Sequence, residues 1–140
     1  MSKEHKLTAE ERQHLIEAAC KARERAYAPY SHFSVGAAVL TSKGSMFTGV
    51  NVENASYGLT VCAERNAVAA MIDGRENEIR AVAVCTLNGV APCGACRQVL
   101  SEFAPPGSAV PVWLIDSRGN VRETTLSALL PDKFVAGDLP

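Results

Sequence analysis

The chain has 140 residues, 47% of them hydrophobic and 21% charged. This is the make-up of one folded domain, and it excludes wholesale disorder or a collagen-like repeat. Fourteen Lys and Arg against 15 Asp and Glu leave a net charge of −1, without the basic excess by which nucleic-acid binders attract phosphates.

Met1-Ser2-Lys3-Glu4-His5-Lys6 is charged and has no apolar signal core. Thr8 and Glu11 have the spacing of a capping box. Leu15, Ala19, Ala22 and Ala26 recur at helical intervals, so a first helix is predicted from Thr8 to about Tyr27, with Pro29 as its stop. Residues 33–41, rich in Val and Ala, read as a strand; Ser42-Lys43-Gly44 turns the chain, and residues 46–52 return as its hairpin partner. A loop over 53–60 leads into an alanine-rich helix over 62–72, closed by Asp73-Gly74. Residues 80–86 include Ala81-Val82-Ala83-Val84-Cys85, an apolar run suited to a strand buried on both faces. A third helix over 93–103 ends before Pro105-Pro106-Gly107. A strand over 110–116, a turn at 117–120, a short strand over 121–123 and a brief helix over 126–130 follow. Pro131 opens a tail with Phe134, Val135 and Leu139 as candidate anchors. Helices interleaved with strands predict an α/β fold: a five-stranded mixed sheet in a three-layer α/β/α domain over residues 1–140.

Five cysteines is an odd number, so they cannot all pair within the chain. No apolar run approaches the ~18 residues of a membrane span. The expected compartment is the cytoplasm, where thiols stay reduced and clustered cysteines point to metal or catalysis. Cys93 and Cys96 form a Cys-x-x-Cys pair at one predicted helix start, and Cys62 stands at another. Helix N-termini stabilise thiolates through their dipoles and free N–H groups, and thiolates favour zinc. A structural zinc site wants four ligands. The other candidates are poor: Cys20 lies in the first helix, Cys85 in an apolar strand, and His5, His14 and His32 far upstream. Three cysteines with one position left to water is the pattern of a catalytic zinc. Glu64, two residues after Cys62, is then placed to act on that water as general base and later as general acid. The competing readings are a redox dithiol at Cys93 and Cys96 and an ordinary solvated helix residue at Glu64. Cys20 and Cys85 read as packing thiols.

Five segments now stand out in order: Tyr27-Ala28-Pro29-Tyr30-Ser31, Phe33-Ser34-Val35-Gly36-Ala37-Ala38, Gly49-Val50-Asn51-Val52-Glu53-Asn54-Ala55, Cys62-Ala63-Glu64-Arg65 and Pro92-Cys93-Gly94-Ala95-Cys96-Arg97-Gln98. With Leu129-Leu130-Pro131 and Phe134 they extend over nearly the whole chain. In these segments the chain resembles the small, single-domain cytidine deaminases of nucleoside salvage. Zinc ligands joined to a non-ligand Glu are the known signature of zinc deaminases.

The resemblance implies one zinc ion per chain on Cys62, Cys93 and Cys96. It implies zinc-bound hydroxide attacking C4 of cytidine or 2′-deoxycytidine, with Glu64 carrying the water proton to N3 and then assisting the departure of ammonia. It implies that Arg65 offsets the charge of three thiolates, that the Ala63 N–H meets the ring oxygen, that Asn51 and Glu53 grip the sugar, and that Phe33 packs on base or sugar. Tyr57 and Phe134 become substrate contacts, made within the chain or from an adjacent subunit, because the family's small members are typically homotetramers. Neither a nucleic-acid nor a membrane partner is expected. A blasticidin-type deaminase of the same fold is the alternative, against which Asn51-Val52-Glu53-Asn54 favours a nucleoside. Taken without the resemblance, Asn51 and Glu53 fit a strand-end turn better than a sugar grip, and Phe33 and Phe134 fit ordinary anchors. Ala91 departs from the Ser that many relatives carry and leaves the ligands intact.

Overall fold

A computed structural model describes residues 6–140; residues 1–5, His5 among them, lie outside the described residues. In chain order the elements are α1 (Ala9–Arg23), β1 (Gly36–Thr41), β2 (Met46–Val50), α2 (Ala63–Asp73), β3 (Ile79–Cys85), α3 (Gly94–Glu102), β4 (Pro111–Ile115), β5 (Val121–Thr125) and α4 (Leu126–Leu129). Single 3-10 turns occur at Tyr57–Leu59 and Ala136–Asp138. The strands form one mixed sheet in the order β2-β1-β3-β4-β5. β3 and β4 are parallel and the other neighbours antiparallel, because a helical crossover through α3 returns the chain to the same end of the sheet.

Alternation along the strands builds the three layers. Ala37, Val39, Val82, Val84, Val112 and Leu114 face one way and pack with Ala67, Val68, Met71 and Leu100 from α2 and α3, and with Leu126 from α4. Ala38, Leu40, Ala81, Ala83, Trp113 and Ile115 face the other way and meet Leu15, Ile16 and Ala19 of α1. Strands buried on both sides have no polar face, which is why residues 81–85 of β3 are continuously apolar, with only Arg80 near its start reaching out to Glu11. Each fully buried Val, Leu or Ile contributes roughly 1.5–3 kcal/mol by leaving water. The sheet, its mixed topology and its helical covering are as predicted.

Several element ends differ from expectation. The predicted capping box is present, with Thr8 and Glu11 each accepting the other's backbone N–H. α1 stops at Arg23 and not near Tyr27: the N–H groups of residues 24–26 bond three residues back, and Tyr27 N–H instead reaches Asn51 O at 3.0 Å. The Arg23 side chain also turns away, its Nε donating to Ser34 O at 2.9 Å. β1 begins at Gly36, later than residue 33, because residues 33–35 are held by a side chain of the neighbouring segment. β5 extends to Thr125, past the predicted residue 123, by pairing with Pro111 and Val112.

Candidate metal and nucleoside site

The candidate site lies where α2 and α3 begin. Cys62 is the N-cap of α2 and Cys93 the N-cap of α3, both in extended conformation, and Cys96 sits on the first turn of α3. The three Sγ atoms lie within 4.8 Å of one another, with Cys93 and Cys96 3.5 Å apart. α2 reaches this position because Gly49 of β2 has no side chain: a Cβ there would stand 2.3 Å from both Ala63 O and Ala67 N. Gly36 performs the same service on the other face, where an added Cβ would meet Ala19 O at 2.1 Å.

The electrostatics favour thiolate. Hydrogen bonding from Cys96 pulls the Cys62 thiol down to about 5, helped by the Arg65 guanidinium and opposed by burial. Arg65 Nη2 stands 3.7 Å from Cys62 Sγ. Cys96 moves the opposite way, since it supplies that proton and is itself buried. Three soft donors at this separation, beside a cation, fit a tetrahedral zinc ion with one position free. Glu64 is 5% exposed, and burial raises its carboxyl pKa. A carboxylate in such a place takes up a proton readily.

Asn51 and Glu53 do more than the sequence reading gave them. Asn51 is buried; its Oδ1 accepts Val35 N–H at 2.9 Å and its Nδ2 donates to Phe33 O at 2.8 Å. One amide N–H remains for a ligand. Glu53 Oε1 accepts Tyr30 N–H at 2.9 Å and Ser31 N–H at 3.1 Å, and Oε2 accepts the Ser31 hydroxyl. These bonds, that from the Ser31 hydroxyl foremost, lower the Glu53 pKa. The pair therefore shapes the loop that presents Phe33, which is half-buried. Val52 and Val61 exchange backbone hydrogen bonds of 3.0 Å, so residues 51–53 run directly beside the approach to Cys62.

Ala63 is buried. Tyr57 is 77% exposed and stands edge-on to Tyr30, ring centroids 6.2 Å apart. Phe134 is 56% exposed, and its carbonyl accepts Gln98 Nε2 at 3.1 Å, so the tail is tied to α3 beside Cys96 in sequence. The thiols, Glu64, Arg65, Ala63 and the 51–53 segment are thus brought together; Tyr57 and Phe134 lie on the surface. Tyr30, Ser31 and Asn66 were not singled out by residue chemistry. Asn66 Nδ2 donates to Val50 O at 2.8 Å. Only Tyr30 and Ser31 carried a signal, as part of the quoted Tyr27–Ser31 segment. Cys85 is buried and Cys20 half-buried. Burial, and then the Cys85 thiol, push Cys20 up to about 12, as suits packing thiols. Those two line a separate concavity of about 520 Å³ with Arg23, Ser34 and Asp116, and it includes none of the site residues.

Residues 9–110 match the family described as the cytidine and deoxycytidylate deaminase zinc-binding region. The chain is 50% identical over 131 residues to a cytidine deaminase of Halalkalibacterium halodurans, covering 92% of this chain and 98% of that protein. It is 45% identical over 127 residues to a cytidine deaminase of Sporosarcina psychrophila, covering 89% and 92%. The crystal structure of a cytidine deaminase from Burkholderia pseudomallei superposes with a TM-score of 0.82 at 48% identity, over 91% of this chain and all of that one.

Proposed function

The chain belongs to the cytidine and deoxycytidylate deaminase family, and from that premise we propose that it is a cytidine deaminase replacing the 4-amino group of cytidine and 2′-deoxycytidine by oxygen. The products are uridine or 2′-deoxyuridine and ammonia, a step of pyrimidine salvage in the cytoplasm. The observation that carries the reading is the juxtaposition of three thiols at two helix starts with one buried carboxyl. Cys62, Cys93 and Cys96 would hold a single zinc ion. Zinc in such a site supplies a Lewis acid that makes water nucleophilic near neutral pH.

The protein's own groups do the rest. Glu64 accepts the proton that water gives up and passes it to N3 of the pyrimidine; it then takes the proton of the new 4-hydroxyl and delivers it to the departing amine, so that ammonia leaves as the 4-carbonyl forms. Burial, by raising its pKa, suits it to both roles. Three thiolates overcompensate a divalent cation, and Arg65 offsets the excess through Cys62. The free N–H groups at the start of α2, that of Ala63 among them, face developing negative charge with the positive end of the helix. Asn51 and Glu53 grip the sugar, Glu53 at the 3′ hydroxyl, and this admits both ribose and deoxyribose. Free cytosine lacks the sugar through which these two residues place the base, so it is a poor substrate. Phe33 packs on the nucleoside. Tyr57 and Phe134, exposed in the single chain, complete the site across subunit contacts of a homotetramer.

The test is to load the full chain with zinc, quantify the metal, and follow ultraviolet absorbance and ammonia with cytidine, deoxycytidine, cytosine and blasticidin S side by side. The expected result is one zinc per chain and turnover of the two nucleosides, with Glu64→Gln keeping its zinc and losing about 10²-fold or more in rate. A zinc-loaded sample that leaves cytidine unchanged overturns the reading.

A further inference from the structure

β2 is an edge strand, paired with β1 alone, yet the residues that follow it include Asn51 and Glu53. Beyond the strand, Tyr27 holds that segment on one side, its N–H donating to Asn51 O and its carbonyl accepting Glu53 N–H, so the ties on the α2 side set where the sugar grip stands relative to Glu64. Two ties connect that end to α2. One is backbone, the Val52–Val61 pair directly before Cys62. The other is the side chain of Asn66, on the first turns of α2, whose Nδ2 donates to Val50 O at 2.8 Å. It links the residue before Asn51 to a position two residues beyond Glu64. The contact is possible because Gly49 lets α2 lie against the strand backbone.

We propose that Asn66 is a positioning residue for deamination: through Val50 it holds the sugar-gripping segment in register with Glu64 and the thiols. The inference rests on the sugar and proton-transfer roles proposed above. Binding energy gathered at the sugar speeds the reaction only if the two ends of the nucleoside are held in one frame. A misplacement on the ångström scale breaks that relation. Removing the amide leaves every proposed substrate contact in place and loosens the frame between them.

The experiment compares Asn66→Ala and Asn66→Leu in the zinc-loaded full chain; leucine keeps the side-chain volume and removes the donor. Zinc content, melting curve, kcat and KM for cytidine are measured in the parent and in a Glu53→Ala background. Both variants are expected to keep their zinc and to lose about tenfold in kcat, with KM changing by less than about threefold. In the Glu53→Ala background the same substitutions are expected to lower kcat/KM by less than about twofold, since the carboxylate half of the sugar grip, the one proposed to meet the 3′ hydroxyl, is no longer there to be kept in register. Equal losses in both backgrounds, the mark of a merely structural contribution, overturn the inference, as does an unaltered kcat or lost zinc in both variants. A parent that leaves cytidine unchanged overturns the deaminase reading, and this inference with it.

Discussion

Arg65 shows how one side chain tunes a metal centre without ligating it. Its guanidinium stands beside Cys62, and it is among the causes that hold that thiol down at about 5. Its loss leaves the proposed three thiolates uncompensated, so zinc is held less firmly and water beside it is less acidic. Arg65→Ala is expected to fold, to lose zinc faster to a chelator, and to shift the acid limb of kcat/KM upward. An unchanged zinc off-rate together with an unchanged pH–rate profile removes this role. The clustering of Cys62, Cys93 and Cys96 was legible in the sequence because each lies at, or within a turn of, a helix start. The duties of Asn51 and Glu53 were not, because their partners Phe33, Val35, Tyr30 and Ser31 lie 16 to 23 residues away. A strand-end turn and a sugar grip were posed as alternatives, and the bonds to the 30–35 loop leave an amide N–H still available for the second.

At the scale of elements, α1 and α2 are each seated by a glycine. Gly49→Ala drives a Cβ into the α2 backbone, so α2 has to move away from β2. The cost is expected at about 1–3 kcal/mol of stability, the usual range for overpacking, together with weaker zinc retention. Gly137→Ala, where an added Cβ meets nothing within 4 Å, is the matched control and should melt within about 0.5 kcal/mol of the parent. Calorimetry and metal analysis check both. The start of α1 carries a pH signature. The Thr8 N–H, followed by Arg80, holds the Glu11 carboxyl below its ordinary 4.5, and Arg80 also pairs with it at 3.2 Å. A pKa lower in the folded than in the unfolded chain stabilises the fold fully above the unfolded value, and that contribution fades as pH falls through the folded one. Gln keeps the capping hydrogen bond and loses only the charge, so the parent should exceed Glu11→Gln by about 0.5 kcal/mol at neutral pH. The two stability curves should converge as pH falls below 4.5 and through the lower folded value; a constant gap would exclude the carboxylate as the cause. This capping box was legible because it spans three residues. The early end of α1 was not, since Asn51 and Ser34 terminate it from distant segments.

For the molecule as a whole, the layers followed from the order of apolar segments, and the β3–α3–β4 crossover followed from handedness and length. The tail was less legible: polar contacts to α3 tie it down, Gln98 to the Phe134 carbonyl and Lys133 Nζ to the Ser101 carbonyl, with the Phe134 ring left outward. Tyr27, Tyr57 and Phe134 all expose more than half of their surface, area that the proposed subunit contacts would cover. Sedimentation of the full chain is expected to give a four-chain species, with activity per chain falling on dilution below its dissociation range. A monomer active at every concentration would remove the shared-site proposal. No helix among the described residues is long and apolar enough to cross a membrane.

The β1–β2 turn has a consequence for engineering. The helix starts that gather the thiols lie at the end of the sheet marked by Gly36, Val50 and Cys85, which are aligned in register. Ser42, Lys43 and Gly44 close the hairpin at the opposite end and are exposed, and Gly44, with φ at 85°, has nothing near it. Cross-strand bonds between Thr41 and Ser45 shut the strands before the tip begins. An epitope, a fluorophore or a second domain grafted at that tip extends the chain where neither the core nor the chemistry feels it.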